Sequence, residues 1–197
     1  IILLTLLAGM TMPFGALLGR IDKLYPGWLG SEWRHTIIAF GGGALISAIA
    51  LVLVPEGSKE LPVWLTACSF ALGGLTFFSL DIYLSKHNSS SAQLVAMLSD
   101  FIPEAIALGA AFAYGSETGL ILALLIALQN LPEGFNAYRE ISPHSHLPDY
   151  KLILVFVLMA LLGPLAGLSG YFWLSQMSTL IAAMMLFASG GILYLVF

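Results

Sequence analysis

Seven apolar runs occupy almost all of this sequence, each close to the 20 or so residues that a helix needs to cross a bilayer. They fall at roughly 1–19, 35–55, 61–83, 92–114, 117–138, 152–174 and 178–197. Hydrocarbon offers a backbone amide no water to bond, so uninterrupted apolar segments of this length fold as helices. The composition agrees, with 59% hydrophobic and only 9% charged residues, against about 25% charged in soluble domains. The expectation is an all-α polytopic membrane protein, one transmembrane domain over 1–197 with seven visible spans. No basic cluster points to nucleic acid. The sole cysteine, Cys68, excludes an internal disulfide or a CxxC metal site and reads as a small core residue.

Ile1 and Phe197 both lie inside apolar runs, whereas membrane helices finish in polar or aromatic flanks. The expectation is a chain clipped at both ends, with at least one further helix. The first run lacks a basic leader and a small-residue cleavage site, and reads as a span. Tyr25, Trp28, Trp33, Tyr114, Tyr138, Tyr150 and Trp173 lie near span ends, as interfacial aromatics do. With spans of alternating direction, Arg20, Lys23, Arg34, Lys86, Arg139 and Lys151 share one side, and only Lys59 takes the other. The positive-inside rule makes the first side cytoplasmic and puts the start of the chain outside, in a plasma or inner membrane.

The fourth and fifth spans carry acidic motifs where bilayer is expected. One reads Ser99-Asp100-Phe101-Ile102-Pro103-Glu104, the other Leu128-Gln129-Asn130-Leu131-Pro132-Glu133-Gly134. Asp100 and Glu104 are four residues apart, as are Gln129 and Glu133, which stacks each pair on one helix face. A proline inside a helix also frees the carbonyl four residues back, here those of Ser99 and Leu128. Two such helices facing each other make an oxygen-rich cage around three carboxylates. A buried acid costs on the order of 3 kcal/mol on insertion scales, and no lysine or arginine lies in either span to neutralise these. Three such acids need a cation or protons.

Other residues carry two readings each. Ser99, Asn130 and Asn136 are either further ligands or bonds to neighbouring helices. Met97, seven residues before Glu104, is either a thioether ligand or core packing. Glu56, Asp22 and Asp81 read as solvated or interfacial charges. His144 and His146 form a loop pair, either solvated or a transit point for metal on the cytoplasmic side. The glycines at 15, 19, 41–43, 73, 74, 163, 167, 190 and 191 read as close helix packing.

Pro103-Glu104 and the run from Gln129 to Gly134 resemble the paired signature motifs of the ZIP (Zrt/Irt-like) family of divalent-metal transporters. The glycine-rich second span ending Leu53-Val54-Pro55-Glu56 and the seventh span with Gly190-Gly191 are also similar. The resemblance implies Asp100, Glu104, Gln129 and Glu133 as metal ligands, eight helices in the full chain, and a homodimer. It implies a scaffold that includes the second, third and seventh spans. Past it, a bundle of the first, fourth, fifth and sixth would carry metal by an elevator-like movement. The chain departs from the family pattern at Asp100, where the family has histidine, at Phe101, where it has asparagine, and at Asn130 and Gly163. These changes remove most ligands of a second metal. A site of carboxylate and amide oxygen leans towards manganese, iron(II) or magnesium, while zinc also accepts carboxylates.

The function expected is transport of a divalent cation into the cytoplasm, with the metal as substrate and no enzymatic activity. The alternatives are a proton- or sodium-coupled carrier of an organic solute and, behind it, an intramembrane hydrolase.

Overall fold

The computed structural model describes residues 1–25, 30–86, 92–113, 118–145 and 147–196. Among these there is no strand, and the chain is a bundle of long helices. They are α1 (Ile2–Leu24), α2 (Ser31–Ala48), α3 (Val54–Lys59), α4 (Val63–Lys86), α5 (Ala92–Ala113), α6 (Thr118–Ile141), α7 (Asp149–Ser169) and α8 (Ser178–Val196). A single wide turn, Ile49–Leu53, joins α2 to α3 without breaking the rod, and a second, Gly170–Leu174, extends α7. The first turn lies just ahead of Pro55, which has no N–H for the carbonyl of Leu51, and the amide of Val54 reaches back to Ile49 instead.

Among the described residues, six helical stretches are long and apolar enough to cross a membrane: Ile2–Leu24, Glu32–Lys59, Val63–Tyr83, Gly119–Ile141, Asp149–Leu174 and Ser178–Val196. The chain is therefore compatible with a multi-pass integral membrane protein. The expected fourth span is α5, which is not among the six, although its 22 residues reach about 33 Å at the usual helical rise.

Two groups of helices emerge from the packing. α1, α5, α6 and α7 pack on one another, and each contains an internal proline, Pro13, Pro103, Pro132 and Pro164 respectively. α4 and α3 pack on α8, while α2 lies against α6 and also touches α8. Inside each group glycines bring backbone against backbone. A Cβ at Gly15 would collide with the carbonyl of Leu131, and one at Gly134 with that of Met12, so α1 and α6 close on each other from both sides. Gly109 and Gly170 do the same between α5 and the α7 rod, and Gly73 and Gly190 between α4 and α8. At the seam between the groups, Gly41 of α2 receives the ring of Pro132, while Gly43 is exposed.

Several expectations need correction. Cys68 is exposed rather than core, because α4 packs on α8 along the face of Gly73 and Phe77 and leaves only 11% of its apolar window buried. Tyr138 is fully buried rather than interfacial, since Gly19 of α1 packs against its ring. Tyr25, Trp33, Tyr150 and Trp173 are exposed, and Trp28 and Tyr114 lie outside the described residues. Asp22 is buried, bonded by Arg34 at 2.9 Å and approached by Arg139 at 3.3 Å. Glu56 pairs with Lys59 at 2.7 Å, and Asp81 accepts the Tyr194 hydroxyl at 2.9 Å.

Candidate functional site

α5 and α6 meet where their two prolines interrupt the helical hydrogen bonding. Glu104 and Gln129 are each 0% exposed, and Asp100 is 2% exposed. The Gln129 amide nitrogen donates to both carboxylate oxygens of Glu104, at 2.7 Å each. This fork ties α5 to α6 and gives both oxygens of Glu104 a donor. Asp100 accepts the backbone N–H of Phe101 at 2.8 Å. The Glu133 carboxylate lies within electrostatic reach of both Asp100 and Glu104.

Asp100 and Glu133 line one cavity of about 220 Å³, together with Asn136 and Met97. Gly41 and Gly42 of α2 and the last residues of α8 complete its wall. Gln129 Oε1 and Glu133 Oε2 are buried with no hydrogen-bond donor among the described residues. Buried acceptors are nearly always satisfied, so two together in a carboxylate-rich pocket call for a donor or a cation.

The ion pairs among the described residues lie elsewhere: Arg34 and Arg139 on Asp22, Lys23 and Arg20 on Asp149, and Lys59 on Glu56. None reaches Asp100, Glu104 or Glu133. The three acids keep their expected neighbourhood without a basic partner, yet they do not form the single cage that the sequence implies. Among the described residues no group of three or more His, Cys, Asp or Glu side chains is disposed as a ready metal cluster. Gln129 engages both oxygens of Glu104, while Asp100 and Glu133 line the cavity.

The secondary candidates separate. Met97 is 2% exposed and sits in the cavity wall with Asn136. Asn130 donates its amide to the Ala8 carbonyl of α1 at 3.0 Å, and so serves packing between α1 and α6. Ser99 donates its hydroxyl to the Val95 carbonyl of its own helix at 2.7 Å. His144 is exposed, with its Nδ1 3.2 Å from the Glu140 carbonyl, and His146 lies outside the described residues. Phe101 is 1% exposed, its ring held against Gly9 of α1 and Gly163 of α7. Gly163 is thus a slot for an aromatic ring.

A second cavity, about 450 Å³, lies at the opposite end of the same seam. Its walls are mostly apolar, from Val52, Ala107, Leu122, Ile181 and Met185 among others, with Glu56, Lys59, Glu60 and Ser178 also lining it. Neither cavity is legible in the order of residues, because a void depends on how two helix groups fail to meet.

No protein-family profile matches the chain, and a search among curated proteins finds no match either.

Proposed function

We propose that this chain is a divalent metal cation transporter of the ZIP type that moves metal into the cytoplasm. The observation that carries the reading is a cluster of three carboxylates, the buried Asp100 and Glu104 and the half-buried Glu133, with no basic partner among the described residues and with orphaned oxygens on Glu133 and Gln129. A charged carboxylate in hydrocarbon is tolerable only when compensated, and a divalent cation held by Asp100 and Glu133, with Glu104 and Gln129 behind them, supplies that. Asn136 and Met97 are further donors in the same cavity. We count α5 as a seventh span, and the basic end of the bundle as cytoplasmic. The cavity lined by Asp100 and Glu133 includes the start of α2 and the ends of α6 and α8, so it lies toward that side.

A cavity at each end of the seam between the two helix groups supports movement of one group past the other. The uncovered apolar face of α4, where Leu72, Leu75 and Phe78 are exposed, is available to lipid or to a second copy in a homodimer. Uptake into proteoliposomes with a panel of manganese, iron(II), zinc and magnesium tests the function. Wild type should accumulate at least one of them, and Glu133→Gln should lose that uptake while remaining folded.

A coupled carrier of an organic solute is the second reading. The larger cavity favours it, since about 450 Å³ with apolar walls suits a small organic molecule better than a bare ion. Solute uptake that needs no divalent ion and survives Glu133→Gln would select that reading.

A further inference from the structure

The site between α5 and α6 is short of donors, and the basic end of the bundle is short of acceptors. Arg20, in the last turns of α1, makes no hydrogen bond among the described residues. The carboxylate it approaches, Asp149 at the start of α7, has its Oδ2 3.9 Å from Arg20 Nε, beyond bonding distance, and that Nε is buried with no acceptor. A guanidinium carries five N–H donors, so nearly all the bonding capacity of Arg20 is unused. Asp149 is committed to Lys23, whose ammonium donates to its Oδ1 at 2.8 Å. Two cations against one carboxylate leave an excess of one positive charge here.

The surface leading to this charge is apolar. Leu7, Met10, Phe14, Leu17, Ile21 and Leu24 are all exposed and recur in steps of three and four, so they form one stripe along α1. Leu154, Leu158, Leu161 and Leu165 form another along α7. The two helices pack on each other, and both stripes run up to the end where Arg20, Lys23 and Asp149 meet. Tyr25 and Tyr150, both exposed, sit at the same two helix ends, where aromatic residues mark the level of lipid headgroups.

We propose that Arg20 and Lys23 hold the phosphate of an anionic phospholipid whose acyl chains lie along the exposed stripes of α1 and α7. The orphaned Arg20 nitrogen calls for an acceptor, and a guanidinium takes phosphate oxygens in a two-pronged fork. Basic pockets between membrane helices bind anionic headgroups in this way. The stripes select a lipid over a free phosphate, because the same ligand then covers apolar surface next to the charge. The single excess charge selects an anionic headgroup over a zwitterionic one, which would bring a second cation beside Arg20 and Lys23. Lys23 keeps Asp149 neutralised, so the phosphate meets Arg20 without a free carboxylate in its way. A lipid held here bridges α1 to α7 and adds to the stability of the proline-containing group. The proposal goes beyond the transport reading and rests only on the chain spanning a membrane.

Delipidated protein in a neutral detergent, free of metal, tests this. It is titrated with phosphatidylglycerol, with phosphatidylcholine of the same chains, and with glycerol 3-phosphate as a headgroup without tails. Mass spectrometry of the intact complex counts bound lipid, and the melting temperature reports its effect. Wild type should take phosphatidylglycerol about tenfold more tightly than phosphatidylcholine and melt higher with it, and glycerol 3-phosphate should do neither. Arg20→Gln should lose about that tenfold preference while its affinity for phosphatidylcholine stays within about twofold of wild type. Arg20→Lys, which keeps the charge and loses the fork, should fall between the two. Lys151→Gln removes an exposed cation from the same end and should stay within about threefold of wild type. Equal losses in Arg20→Gln and Lys151→Gln would mean diffuse attraction and overturn the proposal. So would equal affinity of wild type for the two lipids, or glycerol 3-phosphate binding as tightly as phosphatidylglycerol. Should Arg20→Gln fail to fold, wild type and Arg20→Lys against the two lipids still decide it. No arm involves metal, so failure of the transport reading leaves every outcome interpretable.

Discussion

Gln129 shows how a single side chain can hold a buried acid between two helices. Its two amide protons both go to Glu104, and its oxygen is left without a donor. Gln129→Leu keeps the bulk and removes both donors. Hydrogen bonds to charged groups contribute about 1.5–3 kcal/mol each, but the carboxyl can take a proton in response, so the variant should lose about 2–3 kcal/mol in all. Denaturant titration of the purified protein in detergent measures that loss. Protonation sets the sign of the pH effect as well. Metal ligands bind as carboxylates, so protons and metal compete for Asp100 and Glu133. Lowering the pH fills the oxygens with protons, and metal affinity and uptake should both fall as the pH falls. A metal affinity that does not change with pH would count against shared ligands.

The i, i+4 spacing placed Asp100 with Glu104 and Gln129 with Glu133 on common faces, and that much could be read from the order of residues alone. Which oxygen meets which donor could not, because it depends on how α5 and α6 are rotated about their own axes. Asn130 illustrates the point. It follows Gln129 directly, but one residue along a helix turns the side chain by about 100°, and its amide goes to α1 instead of the site.

At the scale of elements the glycines divide into those that make an interface and those that do not. Gly134→Ala would drive a methyl group into the Met12 carbonyl, and neither backbone can yield without parting α1 from α6. Overpacking of this kind costs about 1–3 kcal/mol. Gly43→Ala has open space around it and should stabilise by up to about 1 kcal/mol through helix propensity. Thermal unfolding of the two variants side by side should therefore give shifts of opposite sign. The sequence marked both positions simply as small residues in apolar helices. Lipid and protein core are equally apolar, so hydropathy distinguishes neither the inner from the outer face nor one glycine from another. The same blindness placed Cys68 inside.

Across the whole molecule, two tight helix groups meet along a seam with a cavity at each end and three unpaired acids near one of them. The helical class and the acidic motifs followed from run lengths and spacing. The division into groups did not, since it arises from long-range backbone contacts that no local pattern encodes. The central claim is that a divalent cation compensates these acids, and ligand-dependent thermal stability of the purified protein tests it most directly. A ligand that binds only the folded state at a hundred times its dissociation constant stabilises by about 2.7 kcal/mol. Wild type should melt higher in one of the panel ions than in chelator, whereas Glu133→Gln should melt in chelator at or above wild type and gain nothing from metal. Stabilisation of Glu133→Gln equal to that of wild type, or no response of wild type to any divalent ion, would contradict the account.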